Sequence, residues 1–244
     1  MMKRNIICLL LFLSTAIFAD NADWILGKVD QNIAARNRIS EAEMVIHGRY
    51  AARTVKSISW IKGTEAAFTE FLDPPREKGT KMLKQKDNLW TYFPRTDRTV
   101  LIAGHLLNQA VMGSDLSYSD LMEDPKLQNL YNAKIVGEET IINRLCWVLE
   151  LVAKEKEISY YKRKIWVDKE RFVTLKENRY ALSGRLIKTT DVKKIEKIDG
   201  RWVPVKIVFK DQLKSGKGTE FNLISIKFND DIPDYVFTKA NLKK

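Results

Sequence analysis

Apolar and polar residues change period three times along the chain. Trp24, Ile25, Val29 and Ile33 fall near one face of a helix, and Asp23 stands where an N-cap would. This spacing predicts a helix over 23–38, lying across a sheet with Trp24 in the core. From Glu41 the period becomes two: Ala42, Met44, Ile46, Gly48 and Tyr50 alternate with Glu43, His47 and Arg49. Ala51-Ala52-Arg53 then turns the chain, and short strands are predicted at Ser57–Ile61, Glu65–Leu72, Gly79–Gln85, Leu89–Phe93 and Thr99–Ile102. Pro74-Pro75 makes a rigid corner, Asp87-Asn88 a tight turn and Arg95-Thr96-Asp97 a polar one. At Gly104 the period reverts, with Leu106, Leu107, Ala110 and Val111 spaced for one helix face. Gly113 ends that turn, and Ser114 or Asp115 restarts it. Ser117 and Asp120 form an S-x-x-D capping box ahead of Leu121 and Met122, and Asp124-Pro125 closes the helical part.

Alternation returns at Tyr131. Strands are predicted at Ala133–Gly137, Arg144–Val152, Ser159–Val167, Val173–Asn178, Gly184–Lys194, Arg201–Phe209 and Thr219–Phe228. Asp199-Gly200 is a hairpin signal, because both positions tolerate positive φ. Pro204 predicts an edge or a bulge. Ile232-Pro233-Asp234 closes the sheet, and Phe237–Leu242 is a short terminal turn or helix. No linker or repeat interrupts this order. The short connections favour antiparallel pairing, since parallel neighbours need long crossovers. The expectation is a mainly β (α+β) fold: a single curved antiparallel sheet, a half-barrel of roughly 11 strands. An N-terminal helix and a short helical lid would cover its concave apolar face.

Composition adds an address. Lys3 and Arg4 precede the apolar run Ile6–Phe18, and Ala19 offers a small residue for cleavage. Residues 1–19 are therefore expected to be a signal peptide, and 20–244 one exported domain. The net charge is +11, and 9 of that excess remains without Lys3 and Arg4. Export argues against nucleic acid as the partner of this charge, which leaves two readings, an anionic membrane surface and plain solubility of a β protein. Past the leader the lone cysteine is Cys146, within the apolar run LCWVLELV, so a buried structural thiol is expected and no internal disulfide.

Candidate chemistry is sparse. His47 and His105 have no second His or Cys at metal spacing. Ser114 lies outside any G-x-S-x-G pattern, and capping explains Ser114 and Ser117 better than nucleophilic catalysis. The carboxylates are read as solvated strand faces. Neither a catalytic residue, a metal nor a cofactor is expected, and the reading is not an enzyme. The aromatics carry more information. Trp60, Phe68, Phe71, Trp90, Tyr92 and Phe93 cluster in the first half, with Trp90 and Tyr92 on one strand face and Leu89 and Phe93 on the other. Part of this apolar surface is expected either to form core or to line a cavity.

LDPPREKGTKML, NLWTYFP and VMGSDLSYSDLM, with the ending IPDYVFT, resemble the lipoprotein-sorting branch of the LolA-like carriers. The resemblance runs through most of the chain in order and implies an open half-barrel with an α-helical lid. It implies periplasmic binding of the acyl chains of a lipoprotein or other lipid by a monomer. Its implied partners are a resistance-nodulation-division-type transporter or a lipoprotein-releasing complex. By position, the resemblance assigns the cavity and lid to Phe71, Met82, Trp90, Tyr92, Leu106, Leu107, Val111 and Met112. The family's carriers have an arginine on the strand leading into the second hairpin; the corresponding stretch here is Trp60-Ile61-Lys62-Gly63, and Lys lacks the planar fork of Arg. The rival readings are a structural or interaction protein of the envelope and, behind it, an envelope hydrolase.

Overall fold

The computed structural model describes residues 13–33, 37–48, 50–123 and 126–244. Most of the expected 1–19 leader lies outside the described residues, as does Asp124-Pro125. Among the described residues there are 13 strands rather than about 11, all in one sheet. They are β1 (Asn37–His47), β2 (Ala52–Lys62), β3 (Ala66–Asp73), β4 (Lys81–Gln85), β5 (Asn88–Phe93) and β6 (Arg98–Ile102), then β7 (Tyr131–Ile141), β8 (Arg144–Ala153), β9 (Lys162–Asp168), β10 (Thr174–Tyr180), β11 (Leu186–Ile198), β12 (Arg201–Asp211) and β13 (Gly218–Phe228). Each segment that the alternation predicts corresponds to one of these strands, so the figure of roughly 11 understates the segments themselves.

The strand order is β6-β5-β4-β3-β2-β1-β13-β12-β11-β10-β9-β8-β7. Every neighbouring pair is antiparallel. Each half of the chain is thus a meander of hairpins. The first runs from the centre out to the β6 edge; the second returns from the β7 edge to the centre. The curved sheet stays open, because β6 and β7 do not pair. Residues 103–130 must therefore carry the chain from one edge to the other across a face of the sheet. That requirement creates the lid.

Helix α1 (Leu13–Ile33) starts earlier than the predicted 23–38 and ends earlier. Asp23 sits inside it and caps nothing, because the apolar residues before Asp23 contain no helix breaker. At the other end, Asn37 and Arg38 are claimed by β1: Arg38 pairs with Phe228, and the Asn37 amide donates to Asp230 O at 2.8 Å. Ala22, Ile25, Leu26 and Val29 are buried at helical spacing against Tyr131, Leu149, Leu151, Ile165 and Val167. At about 1.5–3 kcal/mol for each large side chain, this face holds the helix to β7–β9. Trp24 is not core: it is 53% exposed, edge-on to Phe172. Asp30 accepts from the backbone N–H groups of Leu127 and Gln128, both at 3.1 Å, so α1 caps α3 (Leu127–Leu130).

The opposite face has its own core. Phe68 and Leu83 are buried with Ile232, Phe237 and Leu242, and Trp60, Trp90 and Tyr92 pack around them. The 3₁₀ turns Asp234–Phe237 and Lys239–Lys243 close this face. Cys146 is buried as expected, and burial raises its thiol pKa to about 11. Pro204 lies within β12, beyond the Lys206–Phe209 stretch that pairs with β13 and opposite Ile195 at a register shift on β11. No helix among the described residues is long and apolar enough to cross a membrane.

Candidate functional site

The lid differs from the helix pair that the spacing predicts. Gly104–Asn108 and Val111–Gly113 are 3₁₀ turns, separated by extended backbone at Gln109 and Ala110. The Val111 N–H donates to Leu116 O at 2.8 Å and the Tyr118 N–H to Gln109 O at 3.1 Å. Residues 109–118 thus pair with themselves as a miniature hairpin, which overrides the helical spacing. Its turn needs left-handed backbone at Met112 (φ 50°) and Gly113 (φ 73°). A true helix follows, α2 (Tyr118–Met122), and the predicted capping box is present: the Asp120 N–H donates to Ser117 Oγ, and the Ser117 N–H to Asp120 Oδ2 at 2.7 Å. Ser114 caps no α-helix; its hydroxyl accepts from the Leu116 N–H at 3.2 Å.

Apolar residues of the lid meet those of the sheet beneath it. Phe71, Met82 and Val111 are buried together with Met44, Ile46, Val55, Leu89, Ile102 and Tyr118. Leu106, Leu107 and Met112 are half-buried against them. Six of the eight residues that the resemblance assigns to the cavity therefore meet in one cluster. Trp90 and Tyr92 do not. They lie on the other face, under the C-terminal turns, with Lys239 Nζ 4.0 Å from the Trp90 ring centre. Their strand neighbour Leu89 faces the lid instead. Alternation separates the two sets correctly; which set faces the lid is decided by the C-terminal turns, which take the larger aromatics. The lid-side cluster is also packed by its own side chains, with Phe71 2% and Val111 3% exposed.

Beside this cluster runs a buried ionic network, where the sequence suggests only solvated carboxylates. Asp120 on α2 accepts from Arg179 Nη1 at 3.0 Å, from Tyr160 Oη at 2.7 Å and from Lys188 Nζ. Glu123 pairs with Arg163, whose Nη1 donates to Glu177 Oε1 at 2.7 Å and Nε to Tyr131 Oη at 2.9 Å. Arg179 Nη2 reaches Glu177 Oε2 at 2.9 Å. Three cations thus face three carboxylates, and the Arg163 side chain is 2% exposed. Burial pushes the Asp120 and Glu177 pKa values up, but Arg179 with Lys188 outweighs this at Asp120 and Arg179 with Arg163 at Glu177, holding both at about 2. Burial and the Asp120 carboxylate push the Tyr160 hydroxyl up. The sequence signal is the in-step Glu177-Arg179 spacing, which puts two opposite charges on one strand face beside Arg163 of β9.

Further contacts pin the rest of the lid. Asp115 accepts from Thr219 Oγ1 at 2.7 Å and from the Asp211 N–H at 2.9 Å, tying the motif to β12 and β13. On the far side Arg53 donates to Met112 O and, at 2.6 Å, to Glu77. The cation that reaches the lid from β2 is therefore Arg53. Lys62 instead pairs with Asp234.

Open apolar space lies elsewhere. A cleft of about 160 Å³ opens between the C-terminal half of α1, the β9–β10 turn and strands β1, β12 and β13. Val29, Phe172, Trp202, Pro204, Ile226 and Phe228 give it an apolar lining, with Asn32, Arg38 and Thr174 as its polar groups. None of the expected cavity residues lines it.

An open antiparallel half-barrel, crossed by a lid and backed by an N-terminal helix, is the LolA-like architecture. A family model described as an uncharacterized-protein-like family matches residues 63–244, most of the chain, and the protein belongs to that family. A DUF1329 family protein from Desulfovibrio piger shares 23% identity and superposes with a TM-score of 0.85 over 92% of this chain and 99% of its own. A candidate outer membrane lipoprotein-sorting protein domain from Vibrio parahaemolyticus gives 23% and 0.81 over 93% and 100%. A LolA superfamily protein from Nitrosomonas europaea gives 25% and 0.74 over 90% and 98%. No curated protein matches the sequence.

Proposed function

We propose that the protein is a periplasmic carrier, exported by the 1–19 leader, that takes up the acyl chains of a lipoprotein or another lipid. It would shuttle them between membranes, or to and from a resistance-nodulation-division-type transporter or a lipoprotein-releasing complex. The observation that carries this reading is the open apolar cleft beside α1, on a sheet of the kind found in a lipoprotein-sorting domain and a LolA superfamily protein. Burial of about 0.8 kcal/mol per CH₂ in the protein would balance burial in a bilayer, making transfer reversible. The cleft, at 160 Å³, is smaller than the roughly 300–1,000 Å³ of ordinary ligand pockets. A whole acyl chain therefore needs the lid or α1 to move, exposing the cluster around Phe71, Met82 and Val111. No bond is made or broken in this mechanism. The net charge of +9 that remains without Lys3 and Arg4 suits docking on an anionic membrane surface.

The test is solvent extraction of protein purified from the periplasm, followed by mass spectrometry, together with uptake of a fluorescent fatty-acid analogue. Co-purifying lipid or saturable uptake supports the carrier; absence of both rejects it. One observation favours a second reading, an interaction protein of the envelope: the lid-side cluster is already filled and the lid is held by buried ion pairs. That reading expects no uptake even when the lid is loosened by Asp120→Asn, whereas the carrier expects faster uptake.

A further inference from the structure

Arg38 breaks the pattern set by the other buried cations. Arg144, Arg163 and Arg179 each rest on carboxylates. Arg38 lines the cleft beside α1, and its Nε is buried with no hydrogen-bond partner among the described residues. No carboxylate lines the cleft. Its neighbour Asn32 is already committed, donating to Arg171 O at 2.8 Å and Phe172 O at 2.9 Å. Two further cations lie close. The Arg201 guanidinium sits 5.4 Å from the ring centre of Phe228, and that of Arg171 4.3 Å from Trp202; both rings line the cleft. Arg201 also donates to Gln31 O at 3.4 Å, and Arg171 pairs with Asp168 at 3.5 Å. Burial, and then Arg201, lower the Arg38 pKa, as a cation without an anion requires. A guanidinium in this position is costly to the free protein and matches one kind of guest, a planar or tetrahedral anion that takes two parallel N–H donors.

We propose that this cleft binds an amphiphile with a single anionic head, a carboxylate or a phosphate ester, with Arg38 holding the head and the chain lying on Phe172, Trp202, Ile226 and Phe228. The inference rests on the carrier reading and names the chemistry of its cargo. The head would satisfy Arg38 Nε, and Arg201 would add a second positive charge at the mouth. Charge-assisted hydrogen bonds in a partly desolvated site correspond to about a tenfold to hundredfold gain in affinity over a neutral head.

The experiment displaces a bound neutral fluorescent probe from the full-length protein with hexadecanoate, hexadecyl phosphate or hexadecanol, each below its micelle or solubility limit, or with inorganic phosphate. One of the two anionic amphiphiles is expected to bind about ten to a hundred times tighter than hexadecanol, and which one names the head group. Inorganic phosphate is expected not to displace the probe. Arg38→Gln is expected to bring the anionic ligands to within about twofold of hexadecanol, both measured on the same variant. Equal binding of acid, phosphate ester and alcohol by the native protein overturns the anionic-head inference and leaves the carrier intact. Persistence of the preference in Arg38→Gln assigns it elsewhere and also overturns the inference. Tight binding of inorganic phosphate alone rejects an amphiphile at this site. If no amphiphile binds, the carrier reading itself fails. The native comparison decides even if the variant does not fold.

Discussion

The lid should be loosened most by removing one charge. Asp120→Asn keeps the size of the side chain and its place in the cap, but it leaves Arg163, Arg179 and Lys188 facing two carboxylates instead of three. Asp120 is 3% exposed and accepts from Arg179, Lys188, Tyr160 and its own capping partner Ser117. Removing one partner of a buried ion pair costs about 3–5 kcal/mol, chiefly because the other charge stays buried and unpaired. Chemical denaturation should show a lowered midpoint corresponding to that loss. Amide exchange of Tyr118–Met122 should accelerate more than that of β8 and β9, because the latch is local. Lys188→Met alone should also destabilise, but in the Asp120→Asn background it should recover part of the loss by restoring two cations against two carboxylates. A loss below about 1 kcal/mol, or strict additivity of the two changes, would refute the latch.

Other consequences are as direct. Asp120 and Glu177 have folded pKa values of about 2, below those of the unfolded chain, so their contribution is complete above about pH 4.5 and fades as the pH falls toward 2. Thermal melts should show roughly 2–3 kcal/mol per carboxylate lost over that window, and Asp120→Asn should flatten it. Trp90→Ala should destabilise by about 2 kcal/mol through the C-terminal turns while leaving lipid uptake unchanged; lost uptake with an intact fold would put Trp90 back in the cargo site. Gly218→Ala should cost about 2 kcal/mol or more, read by denaturant midpoint, because φ is +96° and an added Cβ would lie 2.4 Å from Phe209 O.

Periodicity locates almost every strand, because each hairpin is short and one face is apolar. Even Pro204 is placed by the donor it lacks. Where the reading fails, the cause is interaction between distant segments. Trp24 looks like core by spacing, yet α1 buries the face carrying Ala22, Ile25, Leu26 and Val29 instead. Trp90 and Tyr92 are correctly paired on a face, but nothing local shows that residues near 237–242 will claim it. Leu106 to Val111 keeps helical spacing, yet the backbone of Gln109–Val111 pairs with that of Leu116–Tyr118. The ionic network is the largest omission. Its members lie on four segments, and a charged residue on a strand normally faces water unless a second layer closes over it. Only the topology reveals that layer. Arg38 is hidden for the opposite reason: what marks it is the absence of a partner, which no spacing encodes.

The order of strands bears on how the molecule assembles. Each meander grows by local hairpins, but the seam between them joins Ile46 to Thr219, so the middle of the sheet is also its most distant contact along the chain. Loop-closure entropy falls on that seam, and non-local pairing of this kind slows folding. A chain growing from its N-terminus completes β1 to β6 long before β13 exists. Through that interval one side of β1 is an unpaired strand edge, open to pairing with any extended segment nearby. Closing the seam converts that hazard into the centre of the sheet, and leaves as edges the two strands that the lid already joins.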